Sequence, residues 1–110
     1  IDTSGSMGGA SIEQARAALD LALSSLRPID RFNVIQFNSV TESLFDSAVS
    51  ARAADVALAR EWVARLYATG GTAMRPALEM ALRGAPPDGY VRQVVFATDG
   101  AARSTAISFR

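Results

Sequence analysis

The chain has 110 residues and balances 11 basic residues, all arginine, against 11 acids, a formal charge of zero that excludes a basic nucleic-acid groove or attraction to an anionic membrane as its organising feature. Lysine, histidine and cysteine are absent, which removes Walker and Schiff-base lysines, the commonest general base, and thiolate or zinc–cysteine chemistry. A hydrophobic content of 49% with 20% charged residues fits a folded α/β chain with room for one domain or part of one.

The chain opens on Asp2-Thr3-Ser4-Gly5-Ser6-Met7, where one carboxylate and two hydroxyls alternate with other residues. Read as an extended loop, this spacing points Asp2, Ser4 and Ser6 to one side, because side chains two apart share a face. The set is made of hard oxygen donors, suited to Mg²⁺, Mn²⁺ or Ca²⁺ and not to zinc or copper. Taken alone, the pattern is one that any Ser/Gly-rich turn can produce.

Ser11-Ile12-Glu13-Gln14 has the form of a capping box. Ile12, Ala15, Leu19, Leu23 and Leu26 then recur at spacings of three and four, predicting an amphipathic helix that closes before Pro28. A turn at Arg27 to Arg31 leads into Phe32-Asn33-Val34-Ile35-Gln36-Phe37, a mostly buried strand, and Asn38-Ser39 turns the chain into a strand nearer an edge over Val40 to Phe45. A second helix is expected from Ala53 to Tyr67, with Val56, Ala59, Val63 and Leu66 on one stripe and Trp62 packing on it. Ala68 to Pro76 forms a glycine-rich loop running into a third helix, about Arg75 to Arg83, with Pro76 in its first turn and Gly84 at C′. After a turn at Pro86-Pro87-Asp88-Gly89, Val91 to Ala97 reads as a buried strand ending at Thr98-Asp99-Gly100.

Strands alternating with helices, the strands nearly continuous in apolar residues, predict an α/β fold, doubly wound around a mostly parallel sheet. Ligands in such sheets sit beyond the carboxyl ends of the strands. Asp99 lies at such an end, and so does Asp2 if a strand leads into it.

D-x-S-x-S, then G-G-T before a helix, then T-D-G after an apolar strand, in that order, form a specific signature. With them the chain resembles the von Willebrand factor type A domain, and the three stretches look like its metal-ion-dependent adhesion site. Ile12-Glu13-Gln14-Ala15-Arg16 and Pro28 to Phe37 look most like the inter-alpha-trypsin inhibitor heavy chains and their bacterial relatives. The resemblance implies that Ser4 and Ser6 ligate a divalent cation directly. It also implies that Thr72, Asp2 and Asp99 act directly or through water. The cation would be Mg²⁺, or Mn²⁺ or Ca²⁺, with one coordination position left for an acidic group of a protein or matrix partner. Gly5, Gly70 and Gly71 would let the loops approach closely. The setting implied is extracellular, cell-surface or periplasmic, with an intracellular one as the alternative. No nucleic-acid partner is expected, and no apolar run is long enough to insert in a membrane.

Two other functions compete with this reading. Ser4-Gly5-Ser6-Met7-Gly8 resembles a nucleophile elbow with Ser4 replacing the first glycine, but the histidine base that a serine hydrolase needs is absent. The family also supplies assembly platforms to ATPase and chelatase complexes inside cells. The resemblance further implies that residues 1–110 are part of a domain. Its first strand would be represented by Ile1 alone, and its later strands and helices would lie beyond Asp99. Residues 101–110 depart from the family, where small, acidic or amide residues lead into a helix. This stretch has Arg103 and no acid.

Overall fold

The computed structural model describes residues 1–98 and 101–107. Among them α1 (Ala10–Ser24) is followed by strands β1 (Arg31–Phe32), β2 (Ile35–Phe37), β3 (Thr41–Ser43) and β4 (Val49–Ser50), then by helices α2 (Ala53–Ala64) and α3 (Met74–Ala81) and strands β5 (Arg92–Thr98) and β6 (Ala101–Ile107). The expected α/β organisation is present.

The expectation of a mostly parallel sheet is met only where a helix makes the crossover. Ile1–Thr3 lies beside β2 in a parallel bridge, Asp2 facing Phe37, and α1 connects the two. Hydrogen bonds stitch this pairing: the Ile1 nitrogen donates to the Ile35 carbonyl at 2.7 Å, the Phe37 amide to Ile1 at 3.0 Å, and the Thr3 amide to Phe37 at 2.8 Å. On its other side the Asp2 amide donates to the Ala97 carbonyl of β5 at 2.9 Å, so Ile1–Thr3 sits between β2 and β5. The ladders β2–β3, β1–β4 and β5–β6 are antiparallel. The connections inside β2–β3 and β5–β6 are too short for a crossover, which leaves a hairpin as the only pairing.

The predicted strand from Phe32 to Phe37 is broken into β1 and β2 by Asn33. Its side chain takes the place of ladder partners, accepting from the Val34 and Phe45 amides at 2.8 and 3.0 Å and donating to the Phe45 carbonyl at 2.8 Å. β4, between the predicted edge strand and the second helix, closes back on β1. β6 forms where the family resemblance implies a helix. The run from Arg103 to Ile107 holds β-branched residues and no strong helix start.

α1 presents Ile12, Ala15, Leu19 and Leu23 to the core as its spacing predicts. Its start differs from the capping box. The helix begins at Ala10 with Gly9 (φ 73°) as N-cap and no side-chain cap bond, which places Ser11 inside the first turn. Ala15 and Ala59, both fully buried, sit on the packing helices α1 and α2, where small side chains permit close approach. Trp62 packs half-buried against this core, as expected. Arg16 donates to the Ala64 and Leu66 carbonyls at 3.3 and 2.9 Å, satisfying the C-terminal end of α2, and Arg60 grips the Asp20 carboxylate through two bonds of 2.7 and 3.1 Å. β5 is less covered than its apolar sequence suggests. Ala97 alone among 91–97 is fully buried, while Val94, Val95 and Phe96 are half-buried. Among the described residues, no helix is long and apolar enough to cross a membrane.

Candidate metal centre

The carboxyl ends of Ile1–Thr3, β2 and β5 gather at one edge of the molecule, linked by the Phe37 and Ala97 hydrogen bonds given above. The loops that leave the first two are Ser4–Gly9 and Asn38–Val40. A third loop, Thr69–Ala73, is drawn in between them.

Asp2 and Ser4 are almost fully buried, at 4% and 1% exposure, whereas Ser6 is exposed. Ser4 donates to Asp2 Oδ1 twice, from its amide at 2.9 Å and from Oγ at 2.6 Å. Ser4 Oγ lies 3.1 Å from Ser6 Oγ. A hydroxyl carries one hydrogen, and that of Ser4 is committed to Asp2, so Ser6 donates to Ser4. Three oxygens thus run from a buried carboxylate to the surface, with the Ser4 hydroxyl already polarised by a negative neighbour.

The convergence of Asp2, Ser4 and Ser6 matches the sequence expectation, but its cause does not. The loop is extended only as far as Ser4. Asp2 holds the Ser4 amide in a side-chain turn, after which Gly5–Met7 forms one 3-10 turn closed by the Met7 amide on the Ser4 carbonyl at 2.9 Å. Met7, fully buried, anchors that turn in the core. Ser6 therefore lies inside a 3-10 turn between Ile1–Thr3 and α1. These 110 residues contain no histidine that could serve as the base of the hydrolase pattern.

Thr72 is brought to the same edge. The Thr69 amide donates to the Thr3 carbonyl at 2.8 Å, and the Gly5 amide donates to Gly70 at 2.8 Å. A Cβ on Gly5 would stand 3.2 Å from the Gly70 oxygen, and Gly70 itself takes φ 74°. The two loops touch backbone to backbone because glycine occupies both places. Thr72 is exposed and is not the N-cap of α3; Ala73 holds that position, without a side-chain cap bond. Its hydroxyl is thus not consumed by capping. Asp99 falls outside the described residues. Sequence reading did not single out Asn38 and Ser39 beyond a turn, although both contact the Thr72 loop. The Ala73 amide donates to the Asn38 carbonyl at 2.7 Å, and the Gly71 amide to Ser39 Oγ at 2.8 Å.

Against this geometry stand the likenesses to known proteins. Residues 1–109 match the von Willebrand factor type A domain. The chain belongs to that family. As a von Willebrand factor type A chain it is 38% identical over 108 residues to human inter-alpha-trypsin inhibitor heavy chain H4, a match covering 91% of this chain and 12% of the relative. It is 36% identical over 106 residues to human von Willebrand factor A domain-containing protein 5B1, covering 96% of this chain and 9% of that protein. A solved von Willebrand factor type A structure from Catenulispora acidiphila superposes with a TM-score of 0.67 at 30% identity, over 73% of this chain and 20% of that one. The likeness to inter-alpha-trypsin inhibitor heavy chains is as the sequence stretches around Ile12 and Pro28 suggest. The chain spans roughly a tenth of the length of these curated relatives.

Proposed function

We propose that this von Willebrand factor type A chain binds a divalent cation through Asp2, Ser4, Ser6, Thr72 and Asp99, and through that cation an acidic group of a protein or matrix partner. The observation that carries the reading is the Ser4 hydroxyl held between Asp2 Oδ1 at 2.6 Å and Ser6 Oγ at 3.1 Å. That chain of oxygens has the donor chemistry of a hard cation, Mg²⁺ first and Mn²⁺ or Ca²⁺ as alternatives. Among the described residues no three His, Cys, Asp or Glu side chains cluster, so hydroxyls carry much of the donor set. A cation so held keeps positive charge and water, and it supplies the attraction for a carboxylate.

Each residue has a distinct part. Asp2 fixes the Ser4 hydroxyl and brings negative charge; Ser4 and Ser6 present oxygens outward; Thr72 adds a hydroxyl from the neighbouring loop; Asp99 adds a second carboxylate. The reading is of a binding module and not of an enzyme. Its likeness to inter-alpha-trypsin inhibitor heavy chains supports an extracellular, cell-surface or periplasmic setting. The test is thermal unfolding of the natural protein that carries this domain. Mg²⁺ or Mn²⁺ should raise Tm relative to chelator, and Asp99→Ala should abolish the rise. An equal rise in the variant removes Asp99 from the site.

A further inference from the structure

We infer that Ser39, in the turn between β2 and β3, is a positioning residue that sets Thr72 for the cation; this rests on the proposed site. The Thr69–Ala73 loop is held from two sides. Thr69 and Gly70 bond to the opening loop, through Thr3 and Gly5 at 2.8 Å each. Gly71 and Ala73 bond to the β2–β3 turn, the first to Ser39 Oγ at 2.8 Å and the second to the Asn38 carbonyl at 2.7 Å. Thr72 stands between the two residues that the turn holds. The residues on either side of Thr72 are thus held by Asn38 and Ser39, while Gly70, two residues back, ties the same loop to the Asp2–Ser6 loop whose oxygens Thr72 must meet.

Of these two clamps only Ser39 acts through its side chain. The Asn38 contact is a backbone carbonyl, indifferent to residue type, and the Asn38 side chain is occupied with the Val40 amide at 3.0 Å. The β2–β3 turn is itself tied to the site. β2 is bonded to Ile1–Thr3 through Phe37, one residue before the turn, which faces Asp2 and exchanges its hydrogen bonds with Ile1 and Thr3. A path thus runs from Ile1–Thr3 through Phe37 and Ser39 to Gly71, beside the direct Gly5–Gly70 contact, so both halves of the donor set share one frame. Octahedral Mg²⁺ is demanding of such spacing, and a loop freed at Gly71 would present Thr72 with a spread of positions.

The experiment is a double-mutant cycle of Mn²⁺ affinity by calorimetry on the natural protein, well below its melting temperature, with Ser39→Ala, Thr72→Val and their combination. Loss of one hydrogen bond to the loop should weaken Mn²⁺ binding about five- to tenfold in Ser39→Ala. It should weaken it less than about twofold when Thr72→Val is already present, because Ser39 acts through Thr72. Ser39→Thr, which keeps the hydroxyl at an exposed position, should restore wild-type affinity. Wild-type affinity in Ser39→Ala, or a penalty of equal size in both backgrounds, overturns the inference. Asp2→Asn, run beside them, separates the two levels. If it leaves Mn²⁺ binding intact, the site itself fails; if it abolishes binding while Ser39→Ala changes nothing, only the role of Ser39 fails.

Discussion

The amide of Gly5 donates to the carbonyl of Gly70 at 2.8 Å, joining the loop that carries Ser4 and Ser6 to the loop that carries Thr72. This contact decides whether the hydroxyls stand on one surface or on two.

A methyl at Gly5 would meet the Gly70 oxygen at 3.2 Å, closer than nearly all side-chain contacts, and the oxygen belongs to backbone that cannot swing aside. Gly5→Ala should therefore separate the loops by a few tenths of an ångström. Cation affinity should fall several-fold, with a smaller loss in urea midpoint. Unchanged Mn²⁺ affinity in Gly5→Ala would show that the loop contact is not needed for the site.

Asn33 gives a prediction about stability alone. Its side chain satisfies both the amide and the carbonyl of Phe45, as well as the Val34 amide, in a half-buried position. Asn33→Ala leaves those backbone groups without partners, at a cost of about 1–3 kcal/mol. The Phe32–Phe45 ring pair, edge to face with centroids 5.6 Å apart, should loosen with it. Urea unfolding and near-ultraviolet circular dichroism check the two effects.

The same residue shows where sequence reading stopped. Phe32 to Phe37 has the composition of one strand, and nothing in its apolar pattern shows that an asparagine side chain would replace the ladder in its middle. Helix faces were readable because burial follows the three-and-four spacing: Ile12, Ala15, Leu19 and Leu23 all face the core. Helix ends were not. Ser11 and Gln14 fit a capping box, yet with Gly9 as N-cap at positive φ α1 starts two residues earlier. At the candidate site the approach of Asp2, Ser4 and Ser6 was legible, and the reason the Thr72 loop meets theirs was not. That reason is a 3-10 turn and a set of hydrogen bonds between loops distant in sequence, including those of the Asn38 carbonyl and the Ser39 side chain, which no periodicity encodes.

Acid should weaken the fold through two surface carboxylates. The Arg27 backbone amide, donating to Asp30 at 2.8 Å, holds that carboxyl below its ordinary range; burial opposes the shift, and the Arg27 side chain adds to it. The Arg60 side chain does the same for Asp20, again against a small effect of burial. Both are depressed carboxylates, so their contribution is complete above the ordinary value of about 3.9 and is lost as pH falls through the lower folded value. In chelator, Asp30→Asn should flatten the loss of stability below about pH 4 relative to wild type, leaving the neutral-pH shape of the curve unchanged. Parallel acid limbs for the two proteins would show that the Arg27–Asp30 turn makes no such contribution.

The central claim is that the buried Asp2 carboxylate, with Ser4 and Ser6 aligned on it, holds a divalent cation. Its most direct test is a Mn²⁺ titration by calorimetry of the natural protein and of Asp2→Ala. Saturable one-site binding in wild type, lost in a variant that still unfolds cooperatively, is the predicted result. Equal binding by both proteins, or no binding by wild type at millimolar Mn²⁺, would contradict it.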